Sequence, residues 1–379
     1  MVTIFMSRKI FTLLALAIFA LGCRAANAQS VASAAPIISD KKIETAPAPQ
    51  SGSGSNFNQS GQVTLKLDRG GSVVLSNRTG DIVITGWDRD TVEAKATSDS
   101  NKSEILPIQV SRETVGSKIL LSVPSVAGRS YGGDIRLDVK LPRYANIESI
   151  SSLRGNIAIT GLEGSVSINS GSGDVVVNRV GSLRVNRRNG DITARGVSGD
   201  FIARATRSSV TAENISGRAD VVTTHGNVSV RDAKGDLRAY ASTGDIQAHC
   251  VKGRADINST SGSITLVGIG GDVEANTTSG DVIFRGIIRA DGRYRLKTLS
   301  GEAVMTIQPD APGFTATLLT YSGELETAFP LKIDGPLQGG INRRITGVYG
   351  DGQARLSLDS FSGGVRIIKG AASALNNCK

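Results

Sequence analysis

The sequence predicts an all-β protein, a parallel β-solenoid with about 18 residues per turn, two strands in each turn, and β caps at both ends. Three observations predict it. From Gly155 to Gly280 a glycine recurs every nine residues, with one step of eight from Gly173 to Gly181 and Ser208 standing in one glycine slot. Within each nine-residue unit the third and fifth positions are apolar, as in Gly190-Asp191-Ile192-Thr193-Ala194 and Gly280-Asp281-Val282-Ile283-Phe284. That period of two is the mark of a short strand with one buried face. Units of two kinds alternate at position eight: Leu162, Val180, Val197, Ile215, Ala233, Val251, Ile269 and Ile287 in one series, and Thr206, Thr224, Ser242, Thr260 and Thr278 in the other. Two units therefore close one turn, with one corner facing inward and the other polar. Seven such turns, stacked at about 4.8 Å, give a rod of roughly 34 Å.

Each segment has its own grounds. Residues 1–28 read as a signal peptide: Arg8 and Lys9 precede the apolar run from Ile10 to Leu21, which is too short to span a bilayer. Ala26-Asn27-Ala28 fits cleavage that leaves Gln29 first, while Ala20-Leu21-Gly22-Cys23 resembles a lipoprotein box with Cys23 as the lipid anchor; simple secretion is the favoured alternative. The expected location is extracytoplasmic. Residues 29–58, rich in Ala, Ser, Pro, Gly and Gln, read as a flexible linker. Residues 59–150 form an N-terminal β cap, with strands expected at 62–67, 72–76, 81–85, 91–96 and 134–141. The solenoid repeats occupy 151–290. A C-terminal β cap covers 291–370, with strands near 294–298, 303–307, 315–320, 354–358 and 365–368 between connections marked by Pro309, Pro312, Pro330 and Pro336. Residues 371–379 are a tail.

Composition narrows the function. The chain has 379 residues, 45 glycines, two histidines and one tryptophan, and aromatics make up 4%. Two histidines, His225 and His249, fall in different columns of the repeat and do not make a zinc site of the usual kind. The net charge is +9; without residues 1–28, which hold Arg8, Lys9 and Arg24 and no acid, the excess falls to six and is spread among carboxylates. That is a mildly basic surface, open to anionic glycan or headgroups. No nucleic-acid motif stands behind it. Cys250 and Cys378 remain once Cys23 is assigned to the leader; they are a candidate disulfide, although Cys250 reads equally as a small buried residue.

The phrases Thr79-Gly80-Asp81-Ile82-Val83-Ile84-Thr85-Gly86-Trp87-Asp88, the iterated Ser-Gly-Asp-Val/Ile, and the closing Gly350-Asp351-Gly352-Gln353-Ala354-Arg355-Leu356 with Ser362-Gly363-Gly364-Val365 resemble the bacterial putative-adhesin domain family. The resemblance spans about residues 60–370. It implies an exported β-strand-repeat domain of unknown function, and it carries over no catalytic residue.

No cofactor, metal or catalytic residue is expected. The calcium hexad Gly-Gly-x-Gly-x-Asp is absent, and so are a Gly-x-Ser-x-Gly elbow, a phosphate loop and Cys-x-x-Cys. Asp after Gly is read as a turn former, and the Thr/Ser column as hydroxyls capping the polar corner. At position two of the polar-corner units, Asp200, Arg218, Asp236, Arg254 and Asp272 recur at intervals of 18 and alternate in sign. We read them as a structural ladder that fixes register. The function expected is a non-enzymatic adhesin-like or cell-envelope scaffold that binds an envelope protein, a glycan or a cell-wall component, with the membrane reached only through a lipid on Cys23. The alternative is a β-helix enzyme acting on acidic polysaccharide, with Arg195, Arg204 and Arg207 as substrate contacts. Residues 155–290 contain no Trp and a single Tyr, Tyr240, which is poor equipment for stacking on sugars.

Overall fold

The computed structural model describes residues 61–98, 105–113, 117–124, 135–333, 343–371 and 378. The leader with Cys23, the linker and most of the tail lie outside the described residues. Contacts divide the chain into two units, 1–53 and 54–379, and the second is the subject here.

The second unit is a β-solenoid of two 16-stranded sheets. Each turn lays one strand in the second sheet and the next in the first: Leu183–Asn189 then Ile192–Val197, Phe201–Arg207 then Val210–Ile215, and so on through Val273–Ser279 and Val282–Gly286. Successive turns pair in parallel at an offset of 18, as in Phe201↔Ala219 and Ile192↔Val210. The eight-residue glycine step shortens the offset to 17 once in each sheet, Val166↔Leu183 and Val175↔Ile192. Positions three and five face inward and are buried, for example Ile192, Ala194, Leu237 and Ala239. The two inner faces make one continuous core along the axis. Small and large side chains alternate in it, Ala203, Ala219, Ala239 and Ala255 among Ile, Val and Leu, which suits the dense interior of a narrow coil.

The coil does not stop at 151 and 290. Parallel stacking continues through residues assigned from sequence to caps, and in both regions it leaves chain order. At one end Ser72–Thr79 and Ile82–Trp87 form a turn sandwiched between Asn146–Arg154 with Ile157–Thr160 on one side and Lys118–Ser122 with Ile135–Pro142 on the other. At the other end Ala354–Ser362 and Val365–Lys369 slot between Arg293–Ser300 with Ala303–Ile307 and Phe314–Thr320 with Leu325–Thr327. Counted along the axis these make thirteen parallel turns, about 60 Å of stacking. Only the outermost strands are caps in the strict sense. Thr91–Ser98, Gln62–Lys66 and Gln109–Glu113 close one end antiparallel, and Arg343–Tyr349 with Lys332–Ile333 closes the other. Antiparallel pairing and short edges interrupt the parallel template that would otherwise invite another chain.

Three aromatic rings collect at the last turn of the coil, and two more meet where the 18-residue repeat gives way to an offset of 21. Phe314, Phe329 and Tyr349 pack with centroids 5.1–5.3 Å apart, and Phe284 meets Tyr294 at 5.4 Å. An end turn has no neighbour to fill its interior, and large rings close that space.

Two sequence expectations about the corners are corrected. Ile287, expected to turn inward with its column, is 42% exposed, and Ile288 at 2% takes its place. The strand Val282–Gly286 ends early and the next turn is offset by 21 residues, Val273↔Tyr294, so the column slips by one. The hydroxyl caps come from position seven, not eight. Thr223, Thr277 and Thr298 are buried and donate to the carbonyls of Ser208, Gly262 and Gly280 at 3.0, 2.9 and 2.8 Å, whereas Thr206, Thr224, Thr260 and Thr278 lie exposed beside them. Arg187 fills the same inner column one turn below Ala205, 4% exposed, with Nε donating to the Asn189 carbonyl at 3.0 Å. Its burial draws the guanidinium pKa down against the opposing pull of Asp174 and Asp191.

Candidate functional site

A solenoid offers outward columns, so the candidate site is built from columns. The ladder residues do stack, because Asp200, Arg218, Asp236, Arg254 and Asp272 each precede residues paired in register, Phe201↔Ala219↔Leu237↔Ala255↔Val273. Their contacts differ from an ion ladder. Asp200 Oδ1 accepts the Arg218 backbone N–H at 2.9 Å, Asp236 Oδ1 that of Arg254 at 2.9 Å, and Asp272 Oδ1 that of Arg293 at 3.1 Å. The Arg254 guanidinium turns to Glu274 at 3.2 Å. The first sheet uses the same device: Asp81, Asn156, Asp174 and Asp191 accept the N–H of Asn156, Asp174, Asp191 and Ser209 at 2.8–3.0 Å. A corner amide has no strand partner, and the side chain one turn below satisfies it.

The distinction is measurable. Asp236→Asn keeps the acceptor and changes stability by less than about 0.5 kcal/mol at any salt, whereas Asp236→Ala loses about 0.5–1.5 kcal/mol. Equal losses for Asn and Ala, both erased by salt, would restore the charge ladder as the cause.

The three arginines proposed as polysaccharide contacts do not converge. Arg195 lies on the first sheet, 3.0 Å from Glu213; Arg204 lies on the second, forked onto Asp220 at 3.0 and 2.8 Å; Arg207 sits at the corner with Nε on Asn189 Oδ1 at 2.8 Å. The Arg204 hydrogen bond holds the Asp220 carboxyl below its ordinary pKa, against partial burial. His225 and His249 stand on different sheets, and burial, aided by Arg231, lowers the His249 pKa. Among the described residues no group of His, Cys, Asp and Glu is placed to hold a metal ion.

Cys250 and Cys378 are joined, Cα to Cα 5.3 Å, across 128 residues. Cys250 occupies a corner of the first sheet in the left-handed region, φ 57°. Gly268, one turn above at φ +65°, leaves room for the bond; a Cβ there would come within 2.4 Å of Cys378 Sγ. A cavity of about 560 Å³ adjoins the disulfide, with exposed Ile287 and the cations Lys234, Lys252 and Arg289 among its walls.

A larger cleft, about 840 Å³, lies on the outer face of the second sheet near its far end. Arg293, Arg295 and Arg355 line it, with Thr317, Ser357 and Gln353. Arg293 and Arg355 are register partners on adjacent strands, and Arg295 follows Arg293 on the same face. All three are exposed. Among the described residues no carboxylate lies within ion-pair reach of Arg293 or Arg355, and Arg295 meets Glu274 only at 3.9 Å. The sequence reading missed this cluster. Its signal is the ladder column itself, which alternates Asp200, Arg218, Asp236, Arg254, Asp272, Arg293 and then sets Arg355 directly on Arg293.

The fold and its outward columns define a two-sheet parallel β-solenoid with a long, regular, solvent-facing surface. The sequence profile of the Toastrack DUF4097 family, a domain of unknown function, matches residues 72–266 and 251–368, and the chain belongs to that family. It is the family that the opening, repeated and closing phrases resemble. Among solved structures, the chain is similar to a putative cell adhesion protein from Clostridium sporogenes, with 10% identity, a TM-score of 0.19, and coverage of 82% of this chain and 99% of that one. No curated protein matches the chain.

Proposed function

We propose that the protein is a non-enzymatic, adhesin-like scaffold of the cell envelope, whose coil presents a rigid surface to an envelope protein, a glycan or a cell-wall component. The observation that carries this reading is the use made of the surface acids. Asp81, Asp174, Asp191, Asp200, Asp236 and Asp272 each accept a backbone N–H of the next turn, and Glu213, Asp220 and Glu274 are paired with arginines. Glycan hydrolysis takes two carboxyl groups facing one another across a bound sugar, one of them free to give a proton. These nine carboxylates are engaged in backbone and arginine contacts between turns. Registered turns in turn make a surface whose spacing does not adapt, which favours recognition of a repeating or extended partner.

Incubation with a panel of envelope and acidic polysaccharides is expected to give saturable binding with no new chain ends. Depolymerisation that is lost with Arg195→Ala or Arg204→Ala would replace this reading with the enzymatic one. The extracytoplasmic location is part of the proposal. The mass of the mature N-terminus is expected to show a free Gln29, and a lipid-modified Cys23 would instead attach the scaffold to a membrane.

A further inference from the structure

The charge column of the second sheet holds its alternation for six turns and then breaks it. Arg355 takes the place where the pattern calls for an acid, in direct register with Arg293. Like charges directly opposite on neighbouring strands repel. The chain does nothing to relieve this. Among the described residues no carboxylate reaches either guanidinium, Asp272 gives its Oδ1 to the Arg293 backbone rather than the side chain, and the neighbouring acid Asp359 is drawn to Lys297 at 4.0 Å. The break coincides with a cleft of about 840 Å³, and the third cation of the face, Arg295, lines the same cleft. Beside the cations stand neutral hydrogen-bonding groups, Thr317, Ser357 and Gln353. Elsewhere on the face Arg204 pairs with Asp220, Arg238 with Asp256 and, in the column itself, Arg254 with Glu274; Arg218 lacks an ion pair among the described residues but stands between Asp200 and Asp236, whereas Arg293 and Arg355 stand on one another.

From this we infer that the cleft formed by Arg293, Arg295 and Arg355 binds a carboxylate-bearing oligosaccharide, the inference resting on the proposed role of the coil as a non-enzymatic binding scaffold. Planar guanidinium forks match carboxylates two bonds at a time. The hydroxyl and amide groups between them match the hydroxyls of a sugar, which a bare phosphate lacks. The volume falls within the range of built ligand sites and suits more than one sugar ring. The cleft lies on an open sheet face, so a longer chain can pass through it without being enclosed. This places the acidic ligand on arginines other than Arg195, Arg204 and Arg207.

The test uses the full chain, with a uronic-acid tetrasaccharide, its carboxyl-reduced neutral counterpart and inorganic polyphosphate as separate probes, and calorimetric binding as the readout. The uronate is expected to bind saturably, the neutral sugar not measurably, and polyphosphate more weakly than the uronate. Arg355→Asp restores the alternation of the column, so it is expected to unfold at or above the wild-type temperature while losing about tenfold or more in uronate affinity. Arg293→Gln with Arg295→Gln gives a second variant with the same expected loss. Uronate binding that Arg355→Asp and the double variant leave unchanged would overturn the site, as would equal binding of the neutral sugar, tighter binding of polyphosphate, or no binding of uronate by the wild type. Shortening of the uronate during the measurement would instead overturn the non-enzymatic reading, so the two failures are told apart.

Discussion

Cys250→Ser is expected to lower the stability of the folded coil by up to about 5 kcal/mol, the loop-closure value for a bond that spans 128 residues. The physical reason lies in how a solenoid holds together. Each turn touches only its neighbours, so the end turns can fray without unfolding the middle. The bond ties the chain end at Cys378 to Cys250, well inside the regular repeats, and the residues between them include every turn at the far end, together with the aromatic group Phe314, Phe329 and Tyr349. Thermal unfolding should show the change as an earlier or separate transition for the far turns. Reductant should bring the wild type to the same profile and leave Cys250→Ser unchanged, and Cys378→Ser should match Cys250→Ser with no additive loss in the double variant. A wild type indifferent to reductant would mean that the bond does not constrain those turns.

Gly262→Ala, at a corner of the regular coil, is expected to lose roughly 3 kcal/mol or more. Gly262 holds φ +147° at the polar corner, and a Cβ there would lie 2.1 Å from the Gly244 carbonyl oxygen of the turn below. Backbone strain and a backbone clash act together, and neither can relax without lengthening the turn spacing. The same carbonyl also accepts from Ser259 Oγ, so a shift at this corner loosens the cap as well. Ser261→Ala, one residue earlier and exposed, serves as the control and should stay within about 0.5 kcal/mol. Chemical denaturation of both variants checks the difference. Equal stability of Gly262→Ala and Ser261→Ala would mean that the corners are not packed carbonyl on glycine.

The corner also explains how much of this protein could be read from its residues. The period of nine, the pairing of two units into one turn, the two buried positions in each strand and the glycine at each corner are repeated local requirements. A requirement repeated fifteen times leaves a pattern that one chain displays without an alignment. The 18-residue column of Asp200, Arg218, Asp236, Arg254 and Asp272 was legible for the same reason. What those side chains do was not. An aspartate that salt-bridges its neighbour and one that accepts the neighbour's amide have the same spacing, and only the position of the corner N–H separates them.

At the ends of the coil the reading placed ten strands close to their observed bounds but missed others, Gln109–Glu113, Lys118–Ser122, Asn146–Arg154, Leu325–Thr327 and Arg343–Tyr349 among them, and did not find their order. Ser72–Thr79 lies between strands that follow it in the chain, and Ala354–Ser362 lies between two that precede it. Such pairings join segments tens of residues apart across loops of unequal length, where periodicity has nothing to count. The consequence reaches the candidate site. Arg293 and Arg355 are 62 positions apart in sequence and one strand apart in space, and their repulsion, like the bond from Cys250 to Cys378, exists only after the distant segments have stacked. Local repetition thus specified the architecture of the coil from sequence, while the break in its surface pattern arose from long-range pairing that no local signal encodes.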